Sequence, residues 1–227
     1  MLKYILPQDK PVSKELFTLA FPVILSNLSR VLMSVVDVAM VGRLGAAALA
    51  ATGMGAMLFW GALSLVIGIR TGVQTVASRR LGQKKYDQCG TALHNGLFMA
   101  TVYALPMSIA GWLLAKSFIP FFINDIKATP LTVEYASIVF LGLLFSAYSF
   151  VFQGFYTGVE KTKIHMRVGI TSNVINVYLN AGLIYGTEGV KLFISETAPP
   201  FSFLSYLWQW TTFPAMGVKG AAIATLV

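Results

Sequence analysis

The stretch Leu44–Ile69, LGAAALAATGMGAMLFWGALSLVIGI, contains no charged residue and decides the fold class of this chain. A helix needs roughly 20 consecutive apolar residues to cross the hydrocarbon core of a bilayer, and this stretch exceeds that length. Three more uncharged stretches also reach it, namely Gln88–Ala115, Tyr135–Val159 and Val168–Thr187. The sequence therefore predicts at least four membrane-spanning helices.

The composition of the whole chain agrees with this interpretation. Of its 227 residues, 56% are hydrophobic and only 11% are charged, and the mean hydropathy is +0.70. An ordinary soluble domain has about 25% charged residues. Helices satisfy their own backbone hydrogen bonds in lipid, so we expect an all-α integral membrane protein.

Two further helices complete the predicted set. A first span runs from about Glu15 to Val41, interrupted by Arg30 and Asp37, and a last span begins near Val218 and is unfinished at Val227. The chain is thus expected to hold five complete transmembrane helices and the start of a sixth. The expected bounds of the second to fifth spans are Ala47–Ala77, Gly90–Ala115, Leu131–Thr157 and Ile164–Gly186.

Two packing features are predicted within this set. Gly68 and Gly72, four residues apart on the second span, are spaced for close helix packing. The outer segment from Thr187 to Gly217 is rich in aromatic residues, a composition typical of a membrane interface, and stacking against a substrate is the alternative role. These aromatic residues are Phe201, Phe203, Tyr206, Trp208, Trp210 and Phe213.

The net charge of +8 is distributed unevenly along the chain. Ten basic residues lie in three segments: Lys3, Lys10, Lys14, Arg79, Arg80, Lys84, Lys85, Lys161, Lys163 and Arg167. The connections that alternate with these segments hold only Arg43, Lys116, Lys127, Lys191 and Lys219. The positive-inside bias then places the amino terminus in the cytoplasm of a multi-pass protein of the plasma (inner) membrane. The basic charge is explained by topology, so no nucleic-acid partner is expected.

The residues that enzymes commonly use are not arranged as a catalytic site. Cys89 is the only cysteine, and His94 and His165 lack the spacing of metal ligands. The sequence contains no glycine-rich phosphate loop with its lysine and no evident nucleophile and base pair. We therefore expect a protein that is not an enzyme and needs no cofactor other than a coupling ion.

Asp37 is the only one of nine carboxylates that lies well inside an apolar stretch. A carboxylate at the centre of a membrane helix costs about 2.5 to 3.5 kcal/mol on insertion scales and usually faces a cavity or the protein interior. This placement predicts a proton or cation site. Arg70, on the second span, is expected instead to extend towards the cytoplasmic headgroups.

Two helical faces carry the other candidate residues. Asn27, Arg30, Ser34 and Asp37 are spaced three, four and three apart, which places them on one face of the first span. Asn173, Asn176 and Asn180 form a similar face on the fifth span, where Asn180 is expected at about the depth of Asp37. Gln153, near the cytoplasmic end of the fourth span, could contribute to the same site.

Carboxylate and carboxamide oxygens together could hold a proton or a sodium ion, because hard cations favour oxygen ligands. The spacing alone leaves both ions open. It also allows a second interpretation, in which these side chains form only a structural hydrogen-bond network between helices.

Five short patterns, in order along the chain, carry a resemblance to a known family. They are Asp37-xxx-Val41-Gly42-x-Leu44-Gly45, Arg80-Leu81-Gly82-Gln83-Lys84-Lys85, Gln153-Gly154-Phe155-xx-Gly158-xx-Lys161-Thr162-Lys163, Asn173-xx-Asn176-xxx-Asn180 and Gly217-Val218-Lys219-Gly220-Ala221-Ala222-Ile223-Ala224-Thr225. Together these patterns cover most of the chain. The sequence resembles the amino-terminal lobe of multidrug and toxic compound extrusion (MATE) transporters.

The resemblance implies a twelve-helix transporter with two six-helix lobes, which exports organic and often cationic compounds by antiport against protons or sodium ions. It implies that Asp37, Asn176 and Asn180 bind the coupling ion. We expect Asn27, Arg30 and Ser34, which share a helical face with Asp37, to line the cavity together with Gln153 and Asn173. Some members of the family carry aspartate where Asn180 stands. An asparagine here argues against a proton mechanism that needs two carboxylates in this lobe, and it favours either sodium or a second ion site in the other lobe.

Residues 1–227 are therefore expected to form a MATE-like amino-terminal lobe that is truncated within its sixth helix and lacks the carboxy-terminal lobe. A transport pathway would then need the missing lobe or self-association. The expected partners are small-molecule drugs or toxic organic cations and the lipid bilayer. Two alternatives stay open: a flippase for lipid-linked precursors, and a membrane interaction subunit that does not transport.

Overall fold

The computed structural model describes residues 10–197, 206–208 and 211–226, and all regular elements within these residues are helices. The seven α-helices are α1 Lys10–Gly42, α2 Ala46–Gly82, α3 Tyr86–Phe118, α4 Ala128–Leu141, α5 Leu143–Gly158, α6 Thr162–Thr197 and α7 Val218–Thr225. The described residues also include two 3₁₀ turns, Ile119–Phe121 directly after α3 and residues 206–208. The predicted all-helical fold is confirmed.

Most of these helices are suited to a membrane. Helices α1, α2 and α3 are each long and apolar enough to cross a bilayer, and α4 and α5 taken together, with the bend between them, are long and apolar enough for a fourth span. Helix α6 is also long enough, but its described part is less apolar than these spans, because Asn173, Asn176 and Asn180 lower its mean hydropathy. The chain is thus a multi-pass membrane protein.

The predicted fourth span is broken rather than continuous. Helices α4 and α5 meet at Gly142 and differ in direction by 50°. Ser108 on α3 donates a hydrogen bond of 2.7 Å to the carbonyl oxygen of Phe140, in the last turn of α4. This bond partners a backbone oxygen beside the break, which allows an irregular backbone within the membrane.

The close helix contact involves a different pair of glycines from the predicted one. Gly68 and Gly72 are exposed, and a Cβ atom added to either would meet nothing within 4 Å. Gly154 and Gly158 on α5 lie directly against α2, where an added Cβ would overlap the carbonyl oxygen of Arg70 and approach that of Gln74 to 2.6 Å. The glycine spacing that brings two helices together is therefore on α5.

The fifth predicted span ends where α6 kinks at Gly186. This residue has φ 72° and ψ 166°, a conformation that only glycine adopts readily. The returning segment 211–217 bonds to the backbone around the kink: Met216 N–H donates to the Leu183 carbonyl at 2.8 Å and Gly217 N–H to that of Ile184 at 3.1 Å. The outer connection is thus partly helical, because α6 continues to Thr197.

Part of the predicted aromatic belt packs inside the protein. Trp208 is buried, stacks on Tyr178 of α6 with ring centroids 5.0 Å apart, and donates its indole N–H to the Tyr178 carbonyl oxygen. Phe213 contacts the same Tyr178 ring edge-on. Tyr206 is exposed, whereas Phe201, Phe203 and Trp210 lie outside the described residues.

Two apolar clusters hold the helices together. The first joins α2, α3, α4 and α5 around small and branched side chains such as Leu63, Ala100 and Leu143. The second joins α1, α4, α6 and α7 around Val41, Val139 and residues of α7. Helix α4 contributes to both clusters, and a pocket opens beside it between α1 and α2.

Candidate functional site

Asp37 and Asn180 are in direct contact although they are 143 positions apart in the sequence. The Asn180 side-chain amide donates a hydrogen bond of 2.6 Å to Oδ1 of Asp37. Asp37 is half-buried on α1, and Asn180 on α6 is only 1% exposed. The structure thus brings the predicted residues of the first and fifth spans together at the same depth.

The contact extends along α6 into a short chain of hydrogen bonds. Asn180 also donates to Oδ1 of Asn176 at 2.8 Å, and Asn176 donates to the backbone carbonyl oxygen of Ala224 on α7 at 2.7 Å. Asn180 has two amide protons, and both are used in this way. Three helices are connected through one row of carboxamides.

Asn180 Oδ1 is the one buried oxygen of the network that has no hydrogen-bond partner among the described residues. Leaving such an atom unpartnered costs free energy, about 1–3 kcal/mol for a neutral group. An unpartnered buried amide oxygen beside a carboxylate is a suitable ligand for a hard cation. Among the described residues no cluster of three or more His, Cys, Asp or Glu side chains could hold a metal ion. Any cation at this position would therefore depend on amide and hydroxyl oxygens as well as on Asp37.

Asp37 and Asn180 line a pocket of about 360 Å³ between α1, α2, α4 and α7. Arg30 and Ser34 lie on the same face of α1 and line it as well. Most of the remaining wall is apolar and aromatic, with Phe59, Trp60 and Tyr135 as its largest members. The pocket therefore combines an apolar surface with a few charged and polar groups, as many small-molecule sites do.

The other predicted residues lie away from this pocket. Asn173 donates a hydrogen bond of 2.7 Å to the Ser29 hydroxyl and so connects α6 to α1. Gln153 is buried on α5, and Asn27 is exposed on α1. Neither of the last two is among the pocket-lining residues.

The sequence analysis missed three hydroxyl-bearing residues that line the same pocket as Asp37. They are Tyr135 on α4, which is buried, Thr52 on α2 and Thr225 on α7. Each is a single hydroxyl-bearing residue in an apolar stretch, so no repeat of polar residues indicated it. The available signal was Tyr135 itself, because a buried tyrosine needs a partner for its hydroxyl.

Comparison with known proteins agrees with this architecture. The chain is 32% identical over 183 residues to a probable multidrug resistance protein NorM of Photorhabdus laumondii, an alignment that covers 78% of this chain and 39% of that protein. It is 24% identical to a probable multidrug resistance protein NorM of Thermotoga maritima, over 100% of this chain and 44% of the relative. The chain therefore spans about two fifths of the length of the curated relatives it matches.

The fold is similar to solved transporter structures. One is an outward-facing multidrug resistance MATE family transporter of the MOP superfamily, with a TM-score of 0.76 and 21% identity. Another is a MOP superfamily transporter from Pyrococcus furiosus with the same TM-score and identity. Each match covers 94% of this chain and 41% of the solved one. The MatE family model matches residues 22–181, which is more than half of the sequence, and the chain belongs to the MatE family.

Proposed function

We propose that this chain forms the ion-binding lobe of a secondary active transporter that exports organic compounds by antiport against a cation. Membership of the MatE family supports this proposal, as does the similarity to relatives named as multidrug resistance proteins. The single observation that carries it is the half-buried Asp37, held by Asn180 at the wall of a pocket between membrane helices. A carboxylate in this position is costly unless it has a function.

The proposed coupling-ion site consists of Asp37, Asn180 and Asn176. The carboxylate supplies the negative charge, and the buried Oδ1 of Asn180 supplies a second oxygen that no donor uses. Asn176 accepts one of the Asn180 amide protons and so fixes the direction in which that Oδ1 points. A free second oxygen favours sodium over a proton, because a proton needs only one acceptor whereas sodium needs several oxygen ligands.

The proposed substrates are organic cations, which the same pocket is suited to bind. Phe59 and Trp60 present aromatic surface, and aromatic faces attract organic cations. A substrate cation near Asp37 would compete with the coupling ion for one carboxylate. Competition of this kind is sufficient to make the binding of ion and substrate mutually exclusive, which antiport requires.

Efflux of a fluorescent organic cation from cells tests the proposal. The chain is expressed alone and joined to the carboxy-terminal half of the Photorhabdus relative, with Asp37→Asn in each form. Asp87→Asn is the matched control, since Asp87 is an exposed carboxylate in the first turn of α3. We expect Asp37→Asn to reduce efflux at least about tenfold, equivalent to about 1.4 kcal/mol or more of lost coupling, while Asp87→Asn leaves it unchanged.

Ion binding is measured separately, on the purified chain. Binding of a cation to the folded state raises its stability by RT ln(1 + [L]/Kd), so sodium at ten times its Kd should add about 1.4 kcal/mol. The stabilisation should disappear in Asp37→Asn. Equal efflux and equal sodium stabilisation in the variant and the parent would contradict the proposed role of Asp37. A variant that changes stability but no flux in the joined protein would support a non-transporting subunit instead.

A further inference from the structure

Two arginines inside the membrane region approach the same aromatic ring. The guanidinium carbon of Arg30 on α1 lies 5.9 Å from the centroid of the Phe150 ring on α5, and that of Arg70 on α2 lies at the same distance. The two charges are thus no more than about 12 Å apart, within a range where they repel each other in a medium of low dielectric. Arg70 is half-buried beside Phe150. We expected Arg70 to extend towards the headgroups, and in the structure its guanidinium makes a cation–π contact with Phe150 of α5.

Aromatic and imidazole side chains complete this group. Trp60 meets Phe150 edge-on, with ring centroids 6.0 Å apart, and also lines the pocket. His165 lies on α6, which packs against both α1 and α5. Its Nε2 atom is buried and has no hydrogen-bond partner among the described residues. Helices α1, α2 and α5 therefore bring two arginines and two aromatic rings to one place.

No counter-charge within the described residues balances these arginines. The ion pairs found there are Lys191 with Glu188 and Lys219 with Glu134, so no carboxylate lies within 4.0 Å of either guanidinium. Asp37 is two helical turns from Arg30, roughly 10 Å along α1, and accepts the Asn180 amide instead. Like charges held together in a membrane without a partner are costly, and such residues usually mark a ligand path.

We propose that Arg30, which lines the pocket, and Arg70 form an anion-binding subsite beside the Phe150 ring, and that it accepts the phosphate or similar oxyanion of an amphiphilic molecule. Guanidinium groups bind phosphate through paired N–H donors, and their flat faces remain stacked on an aromatic ring while doing so. His165 Nε2 is available as an additional hydrogen-bonding group. The apolar tail of the amphiphile would lie along Trp60 and Phe59.

This inference goes beyond the proposed export of cations and does not depend on it. Binding of an anion at Arg30 and Arg70 needs neither the coupling ion nor a transport cycle. Its test therefore measures binding, not flux, so failure of cation export and failure of this subsite are distinguishable.

The experiment uses the purified full chain in nanodiscs made of phosphatidylcholine. Octyl phosphate is the probe, octyltrimethylammonium is the comparison ligand of opposite charge, and isothermal titration calorimetry measures both affinities. Arg30→Gln, Arg70→Gln and the double variant remove the positive charge. Arg79→Gln is the control, since Arg79 is an exposed arginine in the last turn of the same helix α2.

We expect the double variant to bind octyl phosphate at least tenfold more weakly, while Arg79→Gln stays within twofold of the parent. Affinity for octyltrimethylammonium should not fall in the double variant, which also shows that its pocket is folded. If the double variant fails to fold, Arg30→Lys and Arg70→Lys replace it, because lysine keeps the charge but loses the paired donors. If octyl phosphate binds as tightly to all the glutamine and lysine variants of Arg30 and Arg70 as to the parent, the proposal is wrong.

Two competition arms identify the source of the anion. Nanodiscs containing phosphatidylglycerol test a lipid headgroup, and added inorganic phosphate tests a free phosphate group. Competition by the lipid identifies a headgroup subsite, and competition by inorganic phosphate alone identifies a site for soluble phosphates. If neither competes with octyl phosphate, the oxyanion is not what these arginines bind, and the proposal is wrong.

Discussion

At the scale of single residues, Asn180 is the residue that orients the candidate ion site. It donates one amide proton to Asp37 and the other to Asn176, while its oxygen faces the interior without a partner. A side chain of similar size without polar atoms could fill the same volume but could do none of this. A substitution can therefore separate the hydrogen bonding of Asn180 from its packing.

Asn180→Leu should destabilise the chain by about 1–3 kcal/mol, because the substitution leaves half-buried oxygens of Asp37 and Asn176 without their donor. It should also abolish stabilisation by sodium. Thermal unfolding in detergent with and without sodium measures both effects. Asn27→Leu on the exposed face of α1 is the control and should change neither quantity. A sodium effect that survives in Asn180→Leu would remove Asn180 from the proposed site.

Asp125 is the carboxylate whose pH dependence follows most directly from the structure. Its Oδ1 accepts backbone N–H groups of Ala128 at 2.7 Å and Lys127 at 2.9 Å, at the start of α4. These bonds favour the charged form and hold the pKa of Asp125 below its ordinary value of 3.8. The stabilisation is therefore complete above that value and is lost as the pH falls through the lower pKa of the folded state.

Asp125→Ala should lower the melting temperature near pH 7, because two N–H groups at the beginning of α4 lose their acceptor. The difference between variant and parent should shrink when the melting temperature is measured at about pH 3 or below. Asp87→Ala, a change of another exposed carboxylate, is the control. A difference that stays constant across this range would show that the carboxylate charge is not what stabilises the helix start.

At the scale of helices, the contact between α5 and α2 depends on glycine. Gly154 and Gly158 lie against the backbone of α2, where a methyl group has no room. The same approach positions Arg70 beside Phe150, since Gly154 contacts the backbone of Arg70 itself. The close packing of α5 on α2 therefore also determines where Arg70 lies relative to Phe150.

Gly154→Ala should destabilise the chain by about 1–3 kcal/mol, the usual cost of adding atoms to a well-packed interface. Gly68→Ala is the matched control: it is also a helical glycine, but its added methyl group meets open space and should be neutral or slightly stabilising. Thermal unfolding of the two variants in the same detergent gives the comparison. Equal effects at the two positions would mean that α5 and α2 are not in this close contact.

At the scale of the whole molecule, the order of the helices determines which loops share a side of the membrane. With α1, α2, α3 and the bent pair of α4 and α5 each crossing the membrane once, we expect the connections after α2 and after α5 on the same side as the start of α1, and the connection between α3 and α4 on the other. The excess of basic residues in the first group favours the cytoplasm for that side. The two sides can be distinguished by labelling.

Single cysteines at Gln83, Glu160 and Asp125, introduced in a Cys89→Ser background, should report this arrangement. All three positions are exposed, whereas Cys89 is buried. A membrane-impermeant maleimide should label the cysteine at 125 in intact cells and those at 83 and 160 only after permeabilisation. The opposite pattern would reverse the orientation, and labelling of positions 83 and 125 from one side would contradict α3 as a span.

Composition and helical periodicity by themselves determined the fold class, the first three spans and the two polar faces of this protein. Long uncharged stretches and a repeat of three or four residues are local properties, which need no knowledge of the rest of the chain. The prediction that Asp37 and Asn180 lie at similar depth followed from topology, and their contact agrees with it.

Only the tertiary structure decided which groups meet. The break at Gly142, the close contact at Gly154 and the direction of Arg70 depend on how the helices rotate and tilt against one another. The hydroxyls of Tyr135 and Thr225 reach the pocket for the same reason. Contacts of this kind join residues far apart in sequence, so they arise from the packing of whole helices and leave no local pattern in the chain.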